Sequence, residues 1–300
     1  MYVLINITRS KRLAAGVAAA ASIACLGGLT APSTATQPVP KNSALSDPGT
    51  EDIYSPMAEA VDAVIAANET ERPPQGRLQA RLTDEDDPDG KVLVSDADLR
   101  GELEAQGATS IRIVPDPETD GEILDERGLP SDLFTVRGSW ASYIQDRKQY
   151  IAFYGRWNYR NDVIGSGNPD DIAGIAVKNF SSACWRNTHS GLRTQDQEGR
   201  RTNLRTRYDA NHANTTWKVQ DDASGFQLLT DVGFAWIEMR RDALGCDRDK
   251  QGKFFHEHNQ GGNGSWTVGV NALAFNVEYN GDPGMTLRKA TAIKYFDYSE

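Results

Sequence analysis

No recognised catalytic signature occurs in this 300-residue chain. There is no G-x-S-x-G elbow, no H-E-x-x-H helix, no P-loop and no G-x-G-x-x-G turn. Their absence removes the elbow hydrolases, the helix-borne zinc proteases and the common nucleotide-binding folds. Paired carboxylates for glycoside hydrolysis leave no such trace, because their separation exists only in three dimensions. No residue is therefore assigned a catalytic role. Cysteine is scarce, with three in the chain, and histidine is limited to four. Aromatic residues are missing from one long stretch: between Thr36 and Leu133 the only one is Tyr54. Such a segment can bury only a small core.

What is present begins with an export signal. Arg9, Lys11 and Arg12 form a basic start, Leu13 to Leu29 an alanine-rich apolar run, and Ala31-Pro32-Ser33-Thr34-Ala35 a small-residue cut site. Together they read as a secretory signal over residues 1–35, cleaved after Ala35. Gly16, Gly27, Gly28 and Thr30 make the run poor as a permanent anchor. Ser22 stands where a lipid-attachment motif around Cys25 would want leucine or valine. After signal removal no membrane span remains, and the expected location is secreted, extracellular. Two cysteines are then left, Cys184 and Cys246. An even count in an oxidising compartment predicts one disulfide.

The mature chain divides near residue 133. Residues 36–133 carry 23 acidic and 8 basic residues, a net of −15, while residues 134–300 are close to neutral and hold all six Trp and all nine Phe. The first part reads as an acidic α+β segment or pro-region: a linker over Thr36–Thr50, a helix from Pro56 capped by Ser55, a strand at Leu78–Leu82, a strand at Lys91–Val94, a helix from Ser95 or Asp96 to Gln106, and a strand at Ser110–Val114. Pro115 to Pro130 reads as an acidic linker. In the second part the period is two. Ile151, Phe153, Trp157 and Tyr159 share one face. Short strands recur at Ile172–Val177, Asn203–Tyr208, Thr216–Val219, Phe226–Leu229, Phe234–Met239, Phe254–His258 and Trp266–Tyr279, separated by Gly, Asn and Asp turns. The expected fold is mainly β, an antiparallel β-sandwich or barrel preceded by the small acidic segment.

Five features carry chemistry. On a strand, His256 and His258 point to one face and Glu257 to the other, so two imidazoles about 7 Å apart could share zinc if a third ligand joined them. Asp247, Asp249 and Gly252 resemble the first half of a calcium loop, although His258 stands where the closing glutamate belongs. Glu85-Asp86-Asp87-Pro88-Asp89-Gly90 is a second calcium-like run. Arg186, Arg193, Arg200, Arg201, Arg205 and Arg207 form a basic stretch. Arg201, Asn203, Arg205 and Arg207 would share a strand face able to bind a polysaccharide carboxylate, a phosphate, or the acidic segment of the same chain. Trp157, Tyr159, Trp185, Trp217 and Trp266 could stack on sugar rings if exposed. The near-neutral β domain argues against nucleic acid. The expected function is a secreted, non-catalytic binding module for carbohydrate or protein. The alternatives are a metal-assisted hydrolase using His256 and His258, and a secreted toxin or inhibitor.

Overall fold

Alternating apolar residues, cut at short intervals by turn residues, dictate strands here, and strands dominate. The computed structural model describes residues 54–70, 93–115, 121–160, 170–196, 200–202, 205–220, 223–224, 227–228, 230–246, 249–271, 273–282 and 284–295. The signal, the proline-rich linker, the strand expected at Leu78–Leu82 and the Glu85–Gly90 run lie outside these residues. The elements are α1 (Pro56–Thr70), α2 (Asp96–Ala105), β1 (Thr109–Pro115), β2 (Glu122–Arg127), β3 (Phe134–Gln145), β4 (Lys148–Tyr159), β5 (Asp171–Lys178) and β6 (Trp185–Gln195). Then come β7 (Arg201–Thr202), β8 (Arg205–Ala210), β9 (Asn214–Val219), β10 (Ala223–Ser224), β11 (Gln227–Leu228) and β12 (Val232–Arg241). The last four are β13 (Lys250–Gln260), β14 (Asn263–Asn271), β15 (Ala274–Asp282) and β16 (Met285–Tyr295).

Two six-stranded antiparallel sheets pack as a sandwich. Sheet A has the order β1-β3-β4-β12-β6-β7, and sheet B the order β2-β16-β13-β5-β9-β8. Ile151, Phe153 and Trp157 from β4, Ile175 from β5, Ile237 from β12 and Phe254 from β13 fill the space between them. Side chains of the other parity point outward, yet many of these are also buried. On sheet A, Tyr143, Tyr154, Phe234 and Trp236 lie under Met57, Val61 and Ile65 of α1 and Leu99 and Leu103 of α2. On sheet B, Ile172, Phe255 and Ala290 pack with Val268, Val277 and Tyr279 of the β14–β15 hairpin. Sheet A is covered on both faces, and β12 accordingly has eight buried residues in a row. A strand buried on both sides loses the polar alternation that would betray its outer face.

Local chemistry sets the element ends. Ser55 Oγ accepts the Ala58 N–H at 3.2 Å, with Pro56 at the first helical position, where its missing N–H costs nothing. Glu238 reaches from β12 to accept the Met57 N–H at 3.0 Å, so a sheet carboxylate sits at the positive end of α1. Ser95 caps α2 by accepting the Asp98 N–H at 3.0 Å, and Gly107, at φ 87°, lets the chain turn out of it. β3 turns into β4 through Asp146 and Arg147, both with positive φ, as a two-residue hairpin requires. At Gly191 an added Cβ would lie 2.2 Å from Trp236 Cζ2, so only glycine lets the indole cross that strand. The disulfide joins Cys184 to Cys246, tying the start of β6 to the segment after β12.

Three expectations change. The stretch Pro115–Pro130 is not simply a linker. It holds β2, which pairs with β16 at the edge of sheet B, and its acidic side chains can stay in solvent there. Leu93 and Val94 lead into α2 as a bend, not a strand. Trp266–Tyr279 is two strands of a hairpin.

Candidate functional site: an arginine-lined cavity

The chain leaves sheet A at β7 and enters sheet B at β8. Arg201 and Arg205 therefore belong to different sheets, not to one strand as the spacing suggested. The crossing still brings arginines together. A cavity of about 280 Å³ opens where β6 faces β8 and β9. It is lined by His189, Ser190, Gly191, Leu192 and Arg193 from β6, Arg205 and Arg207 from β8, and Trp217 from β9.

Each arginine is held differently. Arg193 forms a bidentate pair with Asp62 of α1, Nε at 2.7 Å and Nη2 at 2.8 Å, and its guanidinium lies 5.1 Å from the Trp236 ring centre. Arg201 pairs with the same carboxylate. Arg207 Nη2 donates to the Ser190 carbonyl at 2.7 Å, which joins the two sheets. Arg205 Nη1 is buried and has no hydrogen-bond partner among the described residues. Two guanidiniums thus share the Asp62 carboxylate while Arg205 and Arg207 line the cavity nearby, and the neighbourhood carries excess positive charge. The titrating groups register it. Burial, with Arg193 and Arg201 adding to it, brings Arg205 down to about 10. Burial together with Arg193 and Arg207 lowers His189 to about 4, leaving a neutral imidazole at physiological pH, stacked 5.6 Å from Trp236. Burial alone would raise Asp62, but the hydrogen bonds and charges of Arg193 and Arg201 hold it below the usual carboxylate value.

The two histidines of β13 lie elsewhere. His256 and His258 share a face, as period two requires, but that face is the interior, and both are fully buried. They converge on Asp171 of β5. Its Oδ1 lies 3.0 Å from His258 Nδ1, and its Oδ2 accepts from Tyr159 Oη at 2.7 Å. Tyr159 Oη is also 2.8 Å from His256 Nε2, and the Asn259 N–H donates to Asp171 at 3.2 Å. Trp157 stacks on His256 at 4.3 Å and Phe134 meets it edge-on. Lys289, the cross-strand partner of His256, is buried over the Phe134 ring. Burial would raise Asp171, yet the charge of His258 and the hydrogen bonds from both histidines hold it well below its ordinary value, while burial lowers His256. All of these side chains are buried in the core. Among the described residues no group of three or more His, Cys, Asp and Glu side chains is arranged to hold a metal. Glu257 faces outward and pairs with Arg288.

The remaining sequence candidates scatter. Trp157, Tyr159, Trp185 and Trp217 are all buried core residues, and of these Trp217 borders the cavity. The Trp266 side chain and Asp247 lie outside what is described. Asp249 is described, but β13 begins at Lys250, so Gly252 sits inside a strand where a calcium loop would need a turn. Arg186 pairs with Asp242 and Arg200 with Asp196, away from the cavity. Sequence reasoning missed Asp62 and His189. The Asp62 contact spans 131 residues and has no local signature.

No family model and no curated protein matches the chain. Solved structures resemble it weakly. The Clostridium perfringens delta-toxin is 5% identical, with 61% of this chain and 96% of that one covered at a TM-score of 0.31. Fap1 of Streptococcus parasanguinis fimbriae is 9% identical, covering 63% and 98% at 0.29. The KRT10-binding region domain of the pneumococcal serine-rich repeat protein PsrP is 13% identical, covering 58% and 99% at 0.20. Likeness at this level says nothing of function, and only the chemistry of the cavity can.

Proposed function

We propose that the mature chain is a secreted, non-catalytic binding module that takes an anionic group, carried by carbohydrate or protein, in the cavity between β6, β8 and β9. One observation carries the reading. Arg205 keeps a buried Nη1 donor without a partner among the described residues, in a cavity that Arg193 and Arg207 also line and beside which Arg193 and Arg201 share the Asp62 carboxylate. A donor atom shielded from water and left without a partner is available to an incoming anion. The export signal over residues 1–35 and the Cys184–Cys246 disulfide agree with an oxidising, extracellular setting. No helix among the described residues is long and apolar enough to cross a membrane. The metal-assisted alternative finds no support in the geometry, since His256 and His258 already bind Asp171 inside the closed core.

The test is a screen of the purified chain from residue 36 onward against acidic and neutral glycans and extracellular proteins, at low and high salt. The expected ligand is anionic, its binding weakens with salt, and the double variant Arg205→Gln/Arg207→Gln abolishes it. Preference for a neutral ligand, or binding untouched in the double variant, would sink the proposal.

A further inference from the structure

The cavity's own contacts narrow the ligand. Asp62 shows which anion geometry the cluster accepts: a planar carboxylate, held at both oxygens by the Arg193 fork and shared with Arg201. Asp62 is 41% exposed and taken up by Arg193 and Arg201, while the half-buried Arg205 and the exposed Arg207, which line the cavity, have no paired carboxylate among the described residues. The volume is at the lower end of ligand pockets, enough for one ring-sized unit and not for an oligomer. The walls alternate in character. Leu192 and Trp217 are apolar, while Ser190 and His189 are neutral polar groups suited to hydroxyls.

An extended peptide is a poor fit. Strand addition needs free backbone groups along the outer edge of β6, but Arg207 already occupies the Ser190 carbonyl there, and the last residues of β6 pair with β7. α1, which carries Asp62, cannot easily withdraw it. Met57 is bonded to Glu238, and Met57, Val61 and Ile65 are fully buried against sheet A.

Building on the proposed function, we infer that the bound group is the carboxylate of a single acidic sugar residue, and that Asp62 is a built-in competitor that weakens its binding. The sugar's carboxylate pairs with Arg205 and Arg207, its ring fills the cavity, and Asp62 subtracts from the attraction by neutralising Arg193 and Arg201.

Calorimetric titration of the full mature chain tests this with four probes: oligogalacturonate, its methyl ester, oligoglutamate of equal length, and a sulfated oligosaccharide without carboxylates. Oligogalacturonate is expected to bind, with the methyl ester at least about tenfold weaker because the charge-assisted pair is gone. Asp62→Asn should tighten binding about tenfold, and Arg205→Gln should weaken it by about tenfold or more. If Arg205→Gln proves unfolded in a thermal melt, Arg205→Lys serves instead. It keeps the charge and loses the fork, so affinity should still drop. Equal binding of oligoglutamate or of the sulfated oligosaccharide would overturn the inference and leave the anion-binding reading in place. An Asp62→Asn affinity unchanged or weaker would overturn the competitor role. Failure of all four probes to bind the folded wild-type chain would sink both.

Discussion

Two polar clusters lie in this sandwich, and they differ in balance and access. In the closed one, Asp171 meets two imidazoles, a phenol and a backbone N–H inside the core. In the open one, Arg193 and Arg201 share the single Asp62 carboxylate beside a cavity lined by Arg193, Arg205 and Arg207. Both contain residue types that suggest function when read from sequence. Burial and charge balance separate them: through Tyr159 the closed network links the two sheets, while the open one holds an excess of positive charge. A buried charged network must offset its desolvation through its own hydrogen bonds, whereas an excess of one sign near the surface destabilises the protein slightly by repulsion.

The largest expected effect breaks the closed cluster. Asp171→Ala leaves His256, His258 and Tyr159 without their common acceptor, and stability should fall by about 3–5 kcal/mol, the range for stripping one partner from a buried charged network. Urea unfolding checks this. Anion binding should persist wherever the variant is folded. A variant that melts normally yet loses its ligand would place the function in the wrong cluster.

Acidification sharpens the contrast in two steps. His189 and His256 both have folded pKa values below 6.5, lowered mainly by burial, so the unfolded chain binds more protons than the folded one below that pH. Stability should therefore decline as pH drops from about 6.5 towards 4, by up to about 1.4 kcal/mol per pH unit for each histidine. Asp171 is depressed, so its contribution is complete above about pH 4 and is lost only as pH falls further. His189→Gln, in the open cluster, should flatten the upper limb by about half and leave the lower limb intact. Thermal melts across about pH 3–8 distinguish the two limbs. An unchanged upper limb in that variant would show that His189 is not buried as described.

The smallest effect comes from Arg205→Gln without ligand. Removing one of several like charges should change stability by less than about 0.5 kcal/mol, and in the stabilising direction at low salt. A loss of 2 kcal/mol or more, on the order of a broken buried hydrogen bond, would mean that Arg205 supports the fold and is not held in reserve for a ligand.

Much of this architecture was legible in advance. The alternation at Ile151, Phe153, Trp157 and Tyr159 put these residues on one face, and they do line the core. Ser55-Pro56 and Ser95 marked both helix starts. Other readings failed for identifiable reasons. Period two says that His256 and His258 share a face, but both faces of β13 are covered, so it cannot say which face meets water. The arginines at 201 to 207 looked like one strand, yet the chain changes sheets between Thr202 and Arg205, a crossing that no spacing rule encodes. The acidic residues before Arg127 suggested a linker, whereas an edge strand tolerates the same composition because half its groups face solvent.

The sequence by itself determined the class of fold, the helix caps, the disulfide partners and the stock of arginines, because each depends on local spacing, turn chemistry or a count of two cysteines. Only the tertiary structure decided that His256 and His258 are buried around Asp171, that Trp157, Trp185 and Trp217 are core, and that Asp62 lies between Arg193 and Arg201. Those outcomes depend on which surfaces are removed from water and which distant side chains meet, with contacts such as Asp62–Arg193 spanning 131 residues. Burial of that kind follows from how two sheets and their covering elements pack, and no single segment carries it.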